Sequence, residues 1–315
     1  MSSGLVKPRA LRPGAHLAVV SPASTPRPEL VEKGLKRLSE LGYHPVLLPN
    51  ALGGGPLYYA GTVQQRASDL MAAFEDARVD GVLCTRGGWG SAELLPHLNA
   101  ELVRDNPKPF IGYSDHTSLH IWLARECNLA SFYGPMAASD FGRANGVDAA
   151  SWNHALLGRS KWTLGSTEGL RVLRSGHGEG VFSGGCLSIY AEALGTPYAP
   201  LAAEEPRILF LEDIGTKPYQ WDRMLLHLRY GGMLRNVQGI VFGDMRQCVA
   251  ERDRELLEQA ILHALEEFEG PIAIGLRSGH VDAPNVTLPL GVRVRLDLTD
   301  ADAPLLEFLE PAVTV

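Results

Sequence analysis

The sequence predicts an α/β protein whose N-terminal domain is built on a parallel sheet and whose C-terminal domain mixes strands and helices. Three observations carry this. Short apolar runs alternate with stretches of helical period through the first half, as in βαβ units. The periodicity lapses between Asn145 and about Gly180 and then resumes. The chain is 315 residues long with 45% hydrophobic content, more than the about 100–200 residues of one typical domain. The expected division is 1–145 for an N-terminal α/β domain, 146–180 for a connecting segment and 181–315 for a C-terminal domain.

In chain order, HLAVVSPAS is a strand running into a loop. PELVEKGLKRLSELGY is an amphipathic helix with Leu30, Leu35, Leu38 and Leu41 at helical spacing, stopped by Gly42. HPVLLP is a second strand. The glycine-rich NALGGGPLYYAGT leads to a helix from about Val63 to Ala77, and VDGVLCTRGGWG is a strand ending in a glycine turn. After another helix, PFIGYS is a strand, and a helix is expected to begin at Asp115. Beyond the aperiodic segment come VFSGGCLSIYAEALGTPY, the strand RILFLEDIG, the helix YQWDRMLLHLRYGG and the strand VQGIVFGDM. A long helix from Arg252 to Phe268, the strand PIAIGL, the loop segment SGHVDAPNVTLPLG and the alternating strand VRVRLDL complete the chain.

Composition narrows the function classes. A net charge of -7 with 21% charged residues and a pI near 5.8 leaves no basic stripe for a phosphate backbone, so no nucleic-acid partner is expected. The run Leu17–Val20 is too short for a signal-peptide core and no 18-residue apolar stretch occurs, so a cytoplasmic protein without a membrane partner is expected. Cys84, Cys127, Cys186 and Cys248 form no CxxC pair and are expected to be reduced, mostly buried thiols.

Candidate chemistry centres on GYSD. Functional groups of an open parallel sheet gather where strands end and helices begin, and Ser114 stands at such a corner. It is either a helix cap, since serine favours that position, or a nucleophile beside helix amides, among them that of Asp115, able to stabilise an oxyanion. RGGWG, Arg86 to Gly90, ends a neighbouring strand and is either a tight turn or a source of a second oxyanion amide at Gly87 or Gly88. A nucleophilic serine needs a base and the base a carboxylate. His280 lies in a loop after PIAIGL, and Glu212 and Asp213, neighbours pointing to opposite faces of a strand, compete as the acid. His116 and His120 share a helix face, but HTSLH lacks the Glu of HExxH, so no metal is expected. Trp152 and Trp162 are read as core, or as rings able to stack on a planar group.

RGGWG, GYSD, FLEDIGTKPYQWDR, GIVFGD and GHVDAPNVTLPLG, in this order and spacing, resemble the serine LD-carboxypeptidases (muramoyltetrapeptide carboxypeptidases) over nearly the whole chain. The resemblance implies Ser114 as nucleophile, Glu212 as acid and His280 as base, with the backbone amides of Gly88 and Asp115 as oxyanion hole. It also implies an N-terminal domain related to class I glutamine amidotransferases, a triad assembled across the domain crevice, a homodimer and no metal or cofactor. The implied substrate is a small muropeptide: a terminal D-Ala is cut from the L-centre of meso-diaminopimelate or L-Lys in cytoplasmic murein tetrapeptides during peptidoglycan recycling. Arg86 is a candidate for reading the terminal carboxylate, and Tyr113 a candidate substrate contact. Cys186 stands where many relatives carry Asn, Trp89 where Tyr is common and Thr216 where Glu is frequent. A neighbouring branch, the microcin C immunity proteases, cuts an aminoacyl-nucleotide amide, and Trp152 and Trp162 are the rings that could hold its base. A silent murein-peptide binding module and an amidotransferase-like enzyme using Cys84 are further alternatives.

Overall fold

The structure is a computed structural model and describes residues 4–200 and 204–315. The chain forms two compact units. The first opens with β1 (His16–Val20), α1 (Pro28–Glu40), β2 (His44–Leu47), α2 (Val63–Glu75) and β3 (Gly81–Cys84). It continues through α3 (Ser91–Leu94), α4 (Ala100–Asp105), β4 (Phe110–Gly112), α5 (Thr117–Glu126), β5 (Ser131–Tyr133) and α6 (Ala149–Leu156). The second unit follows with β6 (Trp162–Leu164), β7 (Arg171–Arg174), β8 (His177–Cys186), α7 (Leu187–Glu192), β9 (Arg207–Glu212), α8 (Pro218–Tyr230), β10 (Val237–Gly243), α9 (Arg254–Ala264) and β11 (Ile272–Leu276). The chain then returns to the first unit for β12 (Leu288–Leu290), goes back to the second for β13 (Arg293–Asp297) and β14 (Leu305–Phe308), and closes with Pro311–Val315 in the first.

The first sheet has the order β12-β5-β4-β3-β1-β2. Its five sequential strands are parallel, and β12 adds antiparallel to β5, with Leu288 opposite Tyr133. β1 and β3 are buried throughout apart from His16, the near-continuous apolar pattern of a parallel sheet covered on both faces. Strand order reverses between β1 and β3, the kind of position at whose C-terminal edge ligands of open α/β sheets bind. The hydroxyls of Ser21 and Thr85, 2.6 Å apart, tie the loops after β1 and β3 together.

The second sheet runs β6-β14-β13-β8-β9-β10-β11-β7. Its centre, β8 to β11, is parallel, while β7, β13, β14 and β6 are antiparallel. Both units are thus mixed α/β. β9 is buried at every position from Arg207 to Glu212, so its terminal glutamate is held inside.

Three local expectations are amended. In α1 Leu38 is buried, but Leu41 is exposed, and the seam runs through Val31 and Gly34. A Cβ on Gly34 would stand 2.0 Å from the Ala137 carbonyl oxygen, so the helix lies where only glycine lets that backbone in. The aperiodic stretch 146–180 holds α6, β6, β7 and the start of β8; elements of three to eight residues are too short to show a period. The helix expected from Asp115 begins instead as a 3-10 turn, Ser114–His116, leading into α5.

Candidate functional site

β4 ends at Gly112, where a Cβ would meet the His116 ring at 2.8 Å and the Cys84 sulfur at 3.1 Å. The chain therefore turns tightly into Ser114, whose φ is +66°. A non-glycine residue in the left-handed region costs of order 1–3 kcal/mol and persists only where surroundings impose it. The cap position belongs to Tyr113, with extended backbone, and the turn has no side-chain cap hydrogen bond. Ser114 is thus placed as a strained corner, and the cap reading fails on backbone geometry. Its N–H donates to the Tyr133 hydroxyl at 3.1 Å.

The glycine turn after β3 presses on this corner. A Cβ on Gly87 would stand 2.8 Å from Ser114 Cβ and 2.9 Å from its Oγ. Gly88, with φ of +109°, would place a Cβ 2.3 Å from Ser24 Oγ, so both glycines are required by close approach. Ser24 Oγ accepts the Trp89 N–H at 3.1 Å. The buried Arg66 donates to the carbonyls of Pro22, Gly61 and Gly90 and pairs with Glu93 at 2.6 Å. The Gly88 and Asp115 amides take no backbone partner among the described residues. A rigid turn with an unspent amide beside a strained serine can bind an oxyanion.

The side chain of Asp115 is almost fully buried and accepts the Ser91 N–H through Oδ2 at 2.7 Å. Burial raises its carboxyl to about 6, against the lowering effect of the Ser91 bonds.

In the second unit, Glu212 ends β9 with 1% of its side chain exposed and meets His280. His280 Nδ1 lies 2.9 Å from Glu212 Oε2 and 3.1 Å from Oε1, and the His280 N–H donates to Oε2 at 3.0 Å. A carboxylate on Nδ1 holds the proton there and leaves Nε2 as the basic nitrogen of the neutral ring. Two glycines cradle the carboxylate. A Cβ on Gly279 would fall 2.4 Å from Glu212 Cδ, and one on Gly243 would fall 2.5 Å from Glu212 Cβ. Asp213 turns the other way: its carboxylate accepts the Ser188 and Ile214 N–H groups, each at 2.8 Å. Of the two rival acids, Glu212 is therefore the one on the histidine. Cys186, the residue paired with Glu212 in the β8–β9 register, places its sulfur 3.5 Å from Ser188 Oγ.

Arg86 is half-buried and forms no ion pair with a carboxylate among the described residues. Tyr113 is 6% exposed with its ring 6.0 Å from that of Tyr133, so it offers little surface. Cys84 is fully buried, and burial pushes its thiol well above the usual range, which removes it as a nucleophile. Trp152 is buried and donates through Nε1 to the Tyr43 hydroxyl at 3.0 Å. Trp162 is 7% exposed and stacks on Phe308 at 4.1 Å. Neither ring presents a face for stacking on a ligand, contrary to the alternative in which they hold a base. His116 and His120 each have both ring nitrogens engaged by protein, so the i, i+4 pair has none to offer a metal.

Ser24, Arg66 and Tyr133, all within this arrangement, escape sequence reasoning: each acts on a loop distant in sequence. The glycines Gly243 and Gly279 did carry a signal, since each lies in one of the motifs that carry the resemblance, and Gly279 directly precedes His280.

Two family models match the chain: the LD-carboxypeptidase N-terminal domain over residues 17–134 and the LD-carboxypeptidase C-terminal domain over residues 179–296. The chain belongs to the LD-carboxypeptidase family. It is 35% identical over 304 residues, 94% of this chain and 93% of the relative, to a probable murein peptide carboxypeptidase of Bacillus subtilis. It is 32% identical over 289 residues, 88% of this chain and 91% of the relative, to the murein tetrapeptide carboxypeptidase of Pseudomonas aeruginosa. Among solved structures, an MccF-like protein from Bacillus anthracis matches with a TM-score of 0.88 and 27% identity over 96% of this chain and 99% of that one. The muramoyltetrapeptide carboxypeptidase of Oxalobacter formigenes matches with a TM-score of 0.81 and 26% identity over 95% of this chain and 100% of that one. These relatives make this member of the family a peptidase. Among the described residues, no helix is long and apolar enough to cross a membrane.

Proposed function

We propose that this peptidase is a serine LD-carboxypeptidase that removes the terminal D-Ala from murein tetrapeptides, cutting after the L-centre of meso-diaminopimelate or L-Lys. The single observation that carries the reading is the left-handed corner at Ser114, held against the Gly87 backbone; a strained serine at the C-terminal edge of a parallel sheet fits a nucleophile and does not fit a helix cap, whose backbone is extended. The hydrogen-bonded pair of Glu212 and His280 supports it.

In the proposed reaction, His280 Nε2 takes the Ser114 hydroxyl proton as Oγ attacks the amide carbonyl. The tetrahedral oxyanion accepts hydrogen bonds from the Gly88 and Asp115 amides. The protonated His280 gives its proton to the nitrogen as the C–N bond breaks, so D-Ala leaves as the amine and Ser114 carries the acyl group. Water, deprotonated by His280, then cleaves the ester and restores the hydroxyl. Glu212 keeps the Nδ1 proton in place and stabilises the imidazolium. Arg86 reads the terminal carboxylate, for which a guanidinium is suited by its paired donors. A first domain on the plan of class I glutamine amidotransferases, cytoplasmic peptidoglycan recycling and a homodimer belong to the same proposal.

The test is release of D-Ala from L-Ala-D-Glu-meso-diaminopimelate-D-Ala by the unaltered protein and by Ser114→Ala. Release by the first alone supports the reading. Release by neither shifts it to an aminoacyl-nucleotide amide or to silent peptide binding, and equal release by both removes Ser114 from the chemistry.

A further inference from the structure

We propose that His116 is a positioning residue that sets the glycine turn against Ser114, so that the oxyanion amides are in place before substrate arrives. The inference rests on the proposed serine mechanism and assigns a role to a side chain that touches no reacting atom.

Three hydrogen bonds tie the turn after β3 to the two residues that follow Ser114. His116 Nε2 lies 2.9 Å from the Arg86 carbonyl oxygen at one end of the turn. His116 Nδ1 lies 2.9 Å from Ser91 Oγ at the other end. The third is the Ser91 N–H to Asp115 Oδ2 at 2.7 Å. A carbonyl can only accept, so Nε2 carries the proton and Nδ1 accepts from the Ser91 hydroxyl. The neutral ring is therefore read as one donor and one acceptor, each matched. Full burial holds it neutral, pushing it down to about 3. Between those anchor points lie Gly87, Gly88, Trp89 and Gly90, and Gly87 is packed on the Ser114 side chain. The same ring thus grips the turn on both sides of its three glycines, while its own backbone continues from Ser114 and Asp115. A shift of the turn relative to Ser114 of about 1 Å would cost of order 100-fold in rate.

His120, one helical turn on, repeats the pattern with Gly112 and Ser131, at 2.8 Å each. It holds the strand end before the nucleophile and not the glycine turn, and so serves as a contrast.

The test compares His116→Leu with His116→Gln, whose amide can still donate to the Arg86 carbonyl. Two rates are read: D-Ala release, and labelling of Ser114 by a fluorophosphonate, which needs the serine and the oxyanion amides but no particular peptide. For His116→Leu, kcat and the labelling rate are expected to fall roughly 10- to 100-fold with KM within about twofold, and His116→Gln to regain most of the loss. Wild-type rates in a folded His116→Leu protein, a loss carried by KM alone, or no recovery in His116→Gln would overturn the proposal. Should the leucine variant fail to fold, Ser91→Ala carries the test: a several-fold slower labelling supports the clamp and an unchanged rate overturns it. Labelling of the unaltered protein without D-Ala release would refute the substrate and leave the clamp testable. Absence of both would refute the serine mechanism and the clamp with it.

Discussion

Adjacent acids, Glu212 at the end of β9 and Asp213 in the loop just beyond it, have been sent to different work. Glu212 faces inward to His280, and Asp213 accepts two amides, one of them at the start of α7. Glu212→Gln is expected to lower kcat by about 10²- to 10⁴-fold, by the logic of a base that loses its tautomer and its counter-charge. Asp213→Asn is expected to cost about 1 kcal/mol of stability through the weakened cap while kcat stays within about threefold. Steady-state kinetics and urea unfolding of both variants check this, and the reversed pattern would exchange their roles. A Cβ at Gly279 would enter the same carboxylate. Gly279→Ala also meets a φ of +89°, so both activity and stability are expected to fall, measured by D-Ala release and thermal melting; an unaffected variant would mean that Glu212 can shift without consequence.

At the scale of an element, the turn Ser114–His116 and α5 show why two histidines one turn apart sit in an apolar interior. Each donates to a carbonyl and accepts from a serine hydroxyl. Burial pushes His116 down to about 3 and His120 down to about 4, from 6.5. Between about 6.5 and about 4 the unfolded chain therefore binds protons that the folded chain refuses. Their contribution to stability is complete above about 6.5 and is lost as pH falls. Asp115, raised to about 6 from 3.8, acts in the opposite sense, favouring the fold at low pH and losing that effect as pH rises to about 6. Two histidines with larger shifts outweigh one carboxyl, so the melting temperature is expected to drop from pH 7 to pH 4.5. His120→Gln, which carries no titrating ring, should flatten that slope. An identical slope in the variant would sink the idea.

At the scale of the whole molecule, the chain leaves the first unit after Arg159 and comes back for Asp282–Gly291. The return is pinned by Asn285, fully buried, whose side-chain amide donates to Asp140 Oδ1 at 3.3 Å. Its N–H donates to the Gly146 carbonyl at 2.9 Å, and its carbonyl accepts the Asp148 N–H at 3.0 Å. β12 then completes the sheet beside β5. Asn285→Ala removes a donor from a buried carboxylate and is expected to destabilise the protein by about 1–3 kcal/mol, measured by denaturant unfolding. No loss would mean that β12 and the backbone bonds of residue 285 hold the return without the side chain.

Much of this was legible in sequence because it is local. Alternating apolar runs and helical periods mark the parallel sheet, and the motifs GYSD, LEDIG and SGH stand at strand ends, where backbone geometry depends on neighbours in the chain. The antiparallel β12, the true buried seam of α1, the placing of Glu212 and not Asp213 on His280, and the burial of Trp152 and Trp162 were settled only by tertiary structure. Each depends on contacts between residues tens to more than a hundred positions apart, and a hydrogen bond or a Cβ clash across that distance leaves no period in the chain. Local preference determined which elements form and where they stop; close packing of the folded chain decided what those elements present to one another.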